Sequence, residues 1–290
     1  MKKLTLLLIL PLMTIGNMMA QRFVIQQNCE VYRVFEKTGT QNGYAYVDLG
    51  LPSGLKWATC NVGAAHPWDY GDYFAWGETV GYGKEDRSNA HNYAYTGYTS
   101  YVKTYYYWDA YKYCSGDYNT LTKYCNNSSY GNNGYTDTKT VLDPEDDAAH
   151  VNMGGSWRMP TIEEQRELMG NCYWEWTDRY NSKGVSGYIV YKVKDASDKG
   201  KKKYRGGATT TVGSYSLSDA HIFLPAAGCP AAVRPDESGL HDAGYYGGYW
   251  SSSLYAGFPY GAYYLYFFSN PVSWSSDYRG YGLSVRGVCE

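Results

Sequence analysis

Beyond its first 20 residues, the sequence has no apolar run that reaches the roughly 18 residues a membrane-spanning helix needs. It also has no excess of either charge, since 26 Lys and Arg face 28 Asp and Glu. A nucleic-acid-binding protein needs a basic face, which this balance does not provide. Hydrophobic residues make up 44% of the 290 residues, too many for a disordered chain. Together these observations exclude a membrane-spanning protein, a nucleic-acid-binding protein and a disordered chain, and they favour one large globular domain.

The motifs of common catalytic and metal sites are missing as well. The five His are scattered without H-x-x-x-H or E-x-x-H spacing, and no G-x-S-x-G, P-loop or G-x-G-x-x-G motif joins a strand to a helix. No two cysteines have C-x-x-C spacing, which argues against a structural zinc site. The sequence therefore gives no reason to expect an enzyme.

Seven cysteines are present, and an odd number leaves at least one thiol free even where disulfides form. Cys114 and Cys125, eleven residues apart around a turn, are the best candidates for a pair. The alternative, that several of the cysteines are small buried residues, is equally open.

Residues 1–20 have the parts of an export signal. Lys2 and Lys3 precede an apolar run over residues 4–15, and Ala20 supplies a small residue at the cleavage point. The mature protein is therefore expected to begin near Gln21 and to be exported, either outside the cell or on its outer surface. Residues 21–43 form a short leader segment that ends in a turn.

Turn residues bound several patches with strand composition, at residues 45–49, 55–62, 73–76, 187–194 and 221–225. Two short helices are predicted from their first turns: Asp143 before Pro144 is a predicted N-cap, and Thr161 with Glu164 is a predicted capping box for a helix ending near Gly170.

Residues 82–135 form a polar, aromatic insertion with thirteen Tyr between residues 93 and 135. Their spacing has neither a helical nor a strand period, so we expect ordered loops with little regular structure. These loops are expected to lie beside the C-terminal region and outside the core.

The acidic residues around the first helix have a second interpretation. Asp143, Glu145, Asp146 and Asp147, with Asn152, offer the oxygen ligands of a structural calcium site. The same acids suit the first turn of a helix, and that simpler explanation is preferred. No cofactor is therefore expected.

The C-terminal residues 244–288 use a different set of amino acids from the rest of the chain. Residues 21–243 contain 14 Lys, 10 Glu, 5 Gln and 3 Met, whereas residues 244–288 contain none, although about six are expected at the same frequency. Codons that end in C cannot encode these four residues, so randomising the first two bases of such codons would leave this gap. Tyr, Ser and Gly dominate instead, as in antibody loops. From composition alone, a β-rich core with a Tyr-lined face is an equal alternative.

Seven segments carry a resemblance to a known family. They are residues 46–54 (YVDLGLPSG), 57–64 (WATCNVGA), 71–78 (GDYFAWGE), 146–149 (DDAA), 154–161 (GGSWRMPT), 223–228 (FLPAAG) and 284–286 (SVR). In these segments the chain resembles the variable proteins that retroelements diversify in gut Bacteroidetes. Those proteins have a C-type-lectin-like domain of the formylglycine-generating-enzyme type, which overlaps the Fibrobacter succinogenes major paralogous domain.

The resemblance implies an α+β, C-type-lectin-like fold with two short helices, small antiparallel sheets and extensive ordered loops. The domain would cover residues 44–290, with the insertion at 82–135 and a variable region at 244–283. In that family, randomised adenines in Asn codons of a template produce the variable positions. The positions assigned to such variation are Tyr245, Tyr246, Gly248, Tyr255, Gly257, Phe258, Tyr260, Gly261, Tyr264, Tyr266, Phe268, Asn270, Pro271, Ser273, Ser275, Ser276, Asp277, Tyr278, Gly280 and Tyr281. Leu283 is added to them, because it fits a Gln codon whose single adenine changed.

Frame residues alternate with these variable positions. They are Trp250, Ser251, Ser252, Ser253, Leu254, Ala262, Tyr263, Leu265, Phe267, Val272, Trp274, Arg279 and Gly282. Because Tyr264, Tyr266 and Phe268 alternate with Leu265 and Phe267, a strand would turn the variable residues outward and the frame residues into the core.

The resemblance thus implies an exported ligand-binding protein of the receptor or adhesin kind, whose variable surface recognises a protein or glycan on a host, phage or neighbouring cell. Two alternatives remain. The first is an oxidase of the formylglycine-generating type, although Cys229 and Cys289 lack its sequence pattern. The second is a structural surface protein whose Tyr residues pack against another subunit. The sugar-binding motifs of true C-type lectins are missing, so the lectin resemblance concerns the fold.

Overall fold

The computed structural model describes residues 26–27, 30–31, 38–81, 106–207, 211–230 and 240–290. The predicted export signal, much of the leader segment and residues 82–105 of the insertion lie outside the described residues. The whole predicted variable region lies within them.

Seventeen strands, most of them short, and two α-helices form in these ranges. In chain order the strands are β1 (Gln26–Gln27), β2 (Glu30–Val31), β3 (Gly39–Gln41), β4 (Tyr44–Asp48), β5 (Lys56–Ala58), β6 (Tyr73–Phe74), β7 (Cys172–Thr177), β8 (Gly187–Lys192), β9 (Lys202–Lys203), β10 (His221–Pro225), β11 (Cys229–Pro230), β12 (Leu240–His241), β13 (Gly247–Leu254), β14 (Gly261–Phe267), β15 (Val272–Tyr278), β16 (Leu283–Ser284) and β17 (Val288–Cys289). The helices are α1 (Ala148–Met153) and α2 (Ile162–Asn171). Each predicted strand patch contains a strand, whereas β7 was not predicted.

A five-stranded sheet with strand order β15–β14–β13–β16–β6 holds the C-terminal region. β13, β14 and β15 form an antiparallel meander, and β16 lies parallel to β13 and antiparallel to β6. Two four-stranded sheets have the orders β17–β5–β4–β3 and β10–β8–β7–β9. The last strands of the chain, β16 and β17, thus pair with the early strands β6 and β5, which ties the two ends of the described domain together.

The two helices begin at polar caps. The predicted capping box is confirmed, because the Thr161 side chain accepts from the Glu164 amide while the Glu164 carboxylate accepts from the Thr161 amide. The prediction at Asp143 is confirmed only in part: Asp143 is at the N-cap position before Pro144, but residues Pro144–Asp146 form a single 3-10 turn and the Asp143 side chain makes no cap hydrogen bond. Asp147 caps α1 instead, since its carboxylate accepts from the His150 amide at 2.9 Å.

The meander lies between two apolar clusters. On β14, Ala262 and Tyr264 belong to one cluster, and Leu265 and Phe267 belong to the other. Such alternation follows from the two-residue period of a strand. Helix α2 covers the second side, where the Gln165 side-chain amide donates to the Tyr249 carbonyl oxygen at 3.0 Å.

Two buried arginines connect the C-terminal region to the rest of the domain. The Arg286 guanidinium donates to the carbonyl oxygens of Ala58 and Phe223, at 2.9 and 2.8 Å. The Arg279 guanidinium donates to the Tyr124 carbonyl oxygen at 2.8 Å. A buried guanidinium needs hydrogen-bond partners, so these contacts fix the loops against the sheet.

The described part of the insertion, residues 106–135, corrects one expectation. It has little regular structure, as predicted, but Tyr106, Trp108, Leu121 and Tyr124 are buried in the main apolar cluster. The Tyr106 hydroxyl donates to the Tyr73 carbonyl oxygen in β6. These four side chains therefore belong to the core and not to a loop layer outside it.

The predicted pairing of Cys114 with Cys125 is also wrong. The six described cysteines are free thiols. The Cys114 thiol donates to the Trp108 carbonyl oxygen, and the Cys125 thiol donates to the Asn127 carbonyl oxygen, so the two point to different backbone groups.

The fold is of mixed α+β class, with small sheets and two helices in the described ranges, which confirms the broad prediction. Neither of these helices has the length and apolar character that a membrane span requires.

Candidate ligand-binding face

The register of the meander brings predicted variable residues together on one face of the sheet. Tyr266 lies opposite Gly248 on β13 and Ser273 on β15, and Tyr264 lies opposite Trp250 and Ser275. Residues paired in this way point to the same side of the sheet. We call this side the Tyr face, and it carries Gly248, Trp250, Ala262, Tyr264, Tyr266, Ser273, Ser275 and Asp277. Six of the eight are predicted variable positions, and Trp250 and Ala262 are predicted frame residues.

The opposite face carries frame residues and packs on the second apolar cluster. Tyr249, Leu265, Phe267 and Val272 are buried there. The predicted alternation is therefore confirmed as a division between the two faces for residues 264–267 of β14, but not for Gly261 and Ala262, which lie on the faces opposite to those predicted. Ser276 and Tyr278 are the exceptions among the predicted variable positions of β15, since they lie opposite Tyr263 and Gly261 on this second face.

Trp274 was expected to be buried, and it is 41% exposed. It shares the second face with Leu265 but lies on the edge strand β15, where one side of the ring remains open. The Arg166 guanidinium from α2 stacks on the other side, 4.0 Å from the ring centroid.

The Tyr face is more closed than the sequence predicts. Tyr264 and Tyr246 were expected to point outward, but they are only 8% and 9% exposed. The Tyr264 ring lies 5.8 Å from the Trp250 ring and 5.7 Å from the Tyr266 ring, measured between centroids. Its hydroxyl also shares a hydrogen bond with Tyr246. The neighbouring rings cover one another, so Tyr266 and Phe268 are the open part of this surface.

Five further predicted variable residues form an aromatic row along the end of the meander. We use this name for Tyr255, Phe258, Tyr260, Tyr278 and Tyr281. Successive ring centroids in the row are 5.4 to 5.9 Å apart. Phe258 and Tyr278 are exposed, and the other three are half-buried. Mutual ring contacts give these side chains defined positions at the surface.

Rings of the insertion extend the aromatic row. Tyr118 and Tyr130 lie 5.6 and 5.2 Å from Tyr260, and Trp108 lies 5.8 Å from Tyr278, between ring centroids. The expectation that the insertion lies beside the variable residues is confirmed for residues 106–135. Tyr107, which was not among the predicted contacts, is exposed there as well.

The glycines of the region divide in the same way as the side chains. A Cβ built at the variable positions Gly257, Gly261 or Gly280 would lie 3.3 to 3.6 Å from its nearest neighbour. A Cβ at the frame residue Gly282 would lie 2.6 Å from the ring of buried Tyr106, and one at Gly247 would overlap the Phe267 ring. The predicted variable Gly248 is the exception, because its Cβ would lie 2.7 Å from the Tyr246 hydroxyl and 2.9 Å from the Leu283 side chain. Three of the four predicted variable glycines therefore have room for a Cβ.

The remaining predicted positions are spread between surface and core. Tyr245 is the most exposed, at 62%, and Asn270 and Pro271 are exposed in the turn between β14 and β15. Leu283 is buried in β16, where it pairs with Phe74, so it is a core residue and the outward placement is wrong. Gly248, Gly261 and Gly280 are also buried at the backbone level.

The predicted calcium ligands are only partly brought together. Ligand oxygens of Asp143, Glu145 and Asp146 lie within 4.8 Å of one another. The Lys123 ammonium already lies among them, 2.7 Å from Asp143 and 2.5 Å from Asp146. Hydrogen bonds from Lys123 lower the pKa of Asp143 to about 2.

Asp146 is buried, and burial opposes its ionisation, but hydrogen bonds from Lys123 and Tyr113 hold its pKa below the usual value. Asp147 and Asn152 point elsewhere: Asp147 accepts from the Met159 amide at 2.8 Å, and the Asn152 amide donates to the Thr79 carbonyl oxygen at 2.9 Å. Asp147 and Asn152 therefore form hydrogen bonds with backbone groups and do not join the acidic trio of Asp143, Glu145 and Asp146.

Compared with known proteins, the chain matches no family model, no curated protein and no solved structure.

Proposed function

We propose that this protein is an exported binding protein that recognises macromolecular ligands with its Tyr face and aromatic row. We further propose that a retroelement diversifies these surfaces, and that the domain is a C-type-lectin-like fold which tolerates the changes. The ligand is a protein or glycan on a host, phage or neighbouring cell.

The division of the glycines is the main support for this proposal. A Cβ fits at Gly257, Gly261 and Gly280, whereas one at Gly247 or Gly282 would overlap a buried ring; among the predicted variable glycines only Gly248 lacks this space. A surface that varies without loss of the fold needs this division, because added volume in a packed core destabilises it. The amino-acid composition, the codon pattern and the packing then largely agree on which residues are predicted to vary and which belong to the frame.

The chemistry of the surface suits recognition. Tyr and Phe rings bring large contact areas at low conformational entropy cost, and Ser and Gly beside them accept partners of different shape. The exposed rings Phe258, Phe268 and Tyr278 each lie next to a half-buried Tyr ring, with centroids 5.5 to 6.4 Å apart. Partly buried aromatic residues are typical centres of binding energy at interfaces.

The oxidase alternative receives no support from the thiols. Burial raises the pKa of Cys229 to about 11 and that of Cys172 to about 12, and it also raises the pKa of the other four described cysteines. Reactive cysteines have a lowered pKa, because the thiolate is the nucleophile and the metal ligand.

A selection experiment with a defined probe tests the proposal. A naive phage-displayed library of cyclic peptides is panned on the immobilised mature protein, and the selected peptides are then measured on variants. We expect most peptides to lose affinity on Tyr266→Ala and Tyr281→Ala. Tyr44→Ala is the matched control, since Tyr44 is 43% exposed in β4, outside both surfaces.

Peptides whose affinity is unchanged by Tyr266→Ala and Tyr281→Ala, or is reduced equally by the control Tyr44→Ala, would contradict the proposed function. Sedimentation of the same variants addresses the structural alternative. If the wild-type protein is a stable dimer and Tyr266→Ala makes it a monomer, the Tyr face is a subunit interface instead.

A further inference from the structure

A carboxylate lies within the aromatic surroundings of the Tyr face. Asp277 is on the edge strand β15, opposite Ala262 of β14, and it is half-buried. One of its carboxylate oxygens accepts from the Tyr278 backbone amide at 2.8 Å. Within the described part of the chain, this is its one hydrogen bond, and no Lys or Arg there forms an ion pair with it.

On its side of the sheet, Asp277 has Tyr264 as its diagonal neighbour, because Tyr264 lies two residues beyond Ala262 on β14 and opposite Ser275. The negative charge of Asp277 contributes to the raised pKa values of Tyr246, Tyr264, Tyr281 and Cys229, although burial is the larger cause in each case. Burial also raises the pKa of Asp277 itself. A carboxylate in this position lacks the solvation of a free surface acid and has no compensating cation among the described residues.

Such a site complements one kind of ligand group. A carboxylate attracts a cation, and the faces of Tyr rings attract it as well. The attraction is stronger where solvent is partly excluded, as it is beside Tyr246 and Tyr264. A neutral or acidic ligand group would displace water from the Asp277 carboxylate without compensating its charge, and this would weaken binding.

We propose that the Tyr face binds a lysine or arginine side chain of a protein partner, with its cationic group against the Asp277 carboxylate and beside the Tyr264 and Tyr281 rings. This inference rests on the proposed function and names the chemistry of the ligand. It assigns Asp277 the role of the specificity-determining residue of this variant of the surface, while the rings contribute contact area.

The test uses cyclic peptides from a naive phage-displayed library, selected on the full mature protein and restricted to those that lose affinity on Tyr266→Ala. We expect Lys and Arg to be enriched in these peptides over the starting library. Asp277→Asn, which keeps the shape of the side chain, should weaken them by about 10- to 100-fold, as expected for a lost partner of a charged pair.

Glu163→Gln is the matched control, because it removes one negative charge from an exposed position on α2, behind the opposite face of the sheet. It should leave the affinities unchanged. On the peptide side, replacing the enriched Lys by norleucine should weaken binding to the wild-type protein and have little effect on binding to Asp277→Asn. This coupling separates a direct contact from a general change in charge or stability.

Two results would overturn the inference in distinguishable ways. Peptides that depend on Tyr266 but show no basic enrichment, or that bind Asp277→Asn as tightly as the wild type, leave the proposed function intact and refute this inference alone. If no selected peptide depends on Tyr266, the proposed function and the inference both fail.

Discussion

Adding one methyl group at Gly282 and at Gly280 tests the division between frame and variable positions. A Cβ at Gly282 would lie 2.6 to 2.8 Å from three atoms of the Tyr106 ring. That ring is fully buried, and its hydroxyl is held by the Tyr73 carbonyl oxygen, so it has no room to move away. A Cβ at Gly280 would lie 3.6 Å from its nearest neighbour, an ordinary van der Waals distance.

Overpacking of a core costs about 1–3 kcal/mol. In a domain of this size each kcal/mol lowers the melting temperature by roughly 2–4 °C. Gly282→Ala should therefore melt about 2–12 °C below the wild-type protein. Gly280→Ala should melt at or slightly above it, since alanine reduces the entropy of the unfolded chain by the equivalent of about 0.4–1 kcal/mol. Differential scanning calorimetry of the two variants decides the matter. If Gly280→Ala melts as early as Gly282→Ala, the division of glycines does not reflect space in the fold.

Two further predictions concern the sheet and the acidic trio. Phe267→Ala should lower the free energy of unfolding by about 3–5 kcal/mol because it leaves a cavity under β14. Tyr266→Ala should lower it by no more than about 1 kcal/mol. Chemical denaturation measures both free energies, and equal losses would show that the two rings are packed in one core. Lys123→Met should destabilise the protein at pH 7, since it removes the cation beside Asp143 and buried Asp146. The pKa of Asp143 is lowered from 3.8 to about 2 in the folded protein, so its stabilising effect is present above pH 4 and is lost as the pH falls through 2. Thermal unfolding at several pH values should therefore show the deficit of the variant shrinking between pH 4 and pH 2, and a deficit that is independent of pH would contradict the ion-pair explanation.

Local patterns in the sequence predicted the local features of the fold. The strand over His221–Pro225 and the capping box at Thr161 are set by neighbouring residues, and both are confirmed. The two faces of β14 were also predictable over residues 264–267, because Tyr264 and Leu265 belong to a strict alternation. Features with a period of two, or with a fixed spacing at a helix end, need no knowledge of the tertiary structure.

Exposure at the site depends on distant parts of the chain and could not be predicted in this way. Tyr264 is covered by rings that approach from another strand, and Leu283 is buried because β16 pairs with β6, roughly two hundred residues earlier. Trp274 is open because β15 is an edge strand, which its own sequence does not reveal. The burial of Tyr106 and Tyr124 likewise depends on the main apolar cluster around them.

The N-cap of the first α-helix was predicted at Asp143, whereas the structure has it at Asp147. Asp143 and Asp147 both precede residues with helical character, and Pro144 favours the first as a cap. The chain makes only one 3-10 turn after Asp143, and the helix begins at Ala148. The choice is set by the contact of the Asp147 carboxylate with the Met159 amide, which lies outside the helix.

The central claim is that the predicted variable residues of the Tyr face and the aromatic row vary, while the frame residues, including Trp250 on the same face, do not. Sequencing the gene and its flanking DNA from many cells of one population tests it most directly. We expect a near-identical template repeat with adenines at the codons of the variable positions, and a reverse transcriptase gene beside it. Substitutions should be concentrated at codons such as those of Tyr260, Tyr266 and Asp277. Substitutions that fall equally on Trp250, Phe267 and Gly282, or a locus with no template repeat, would contradict it.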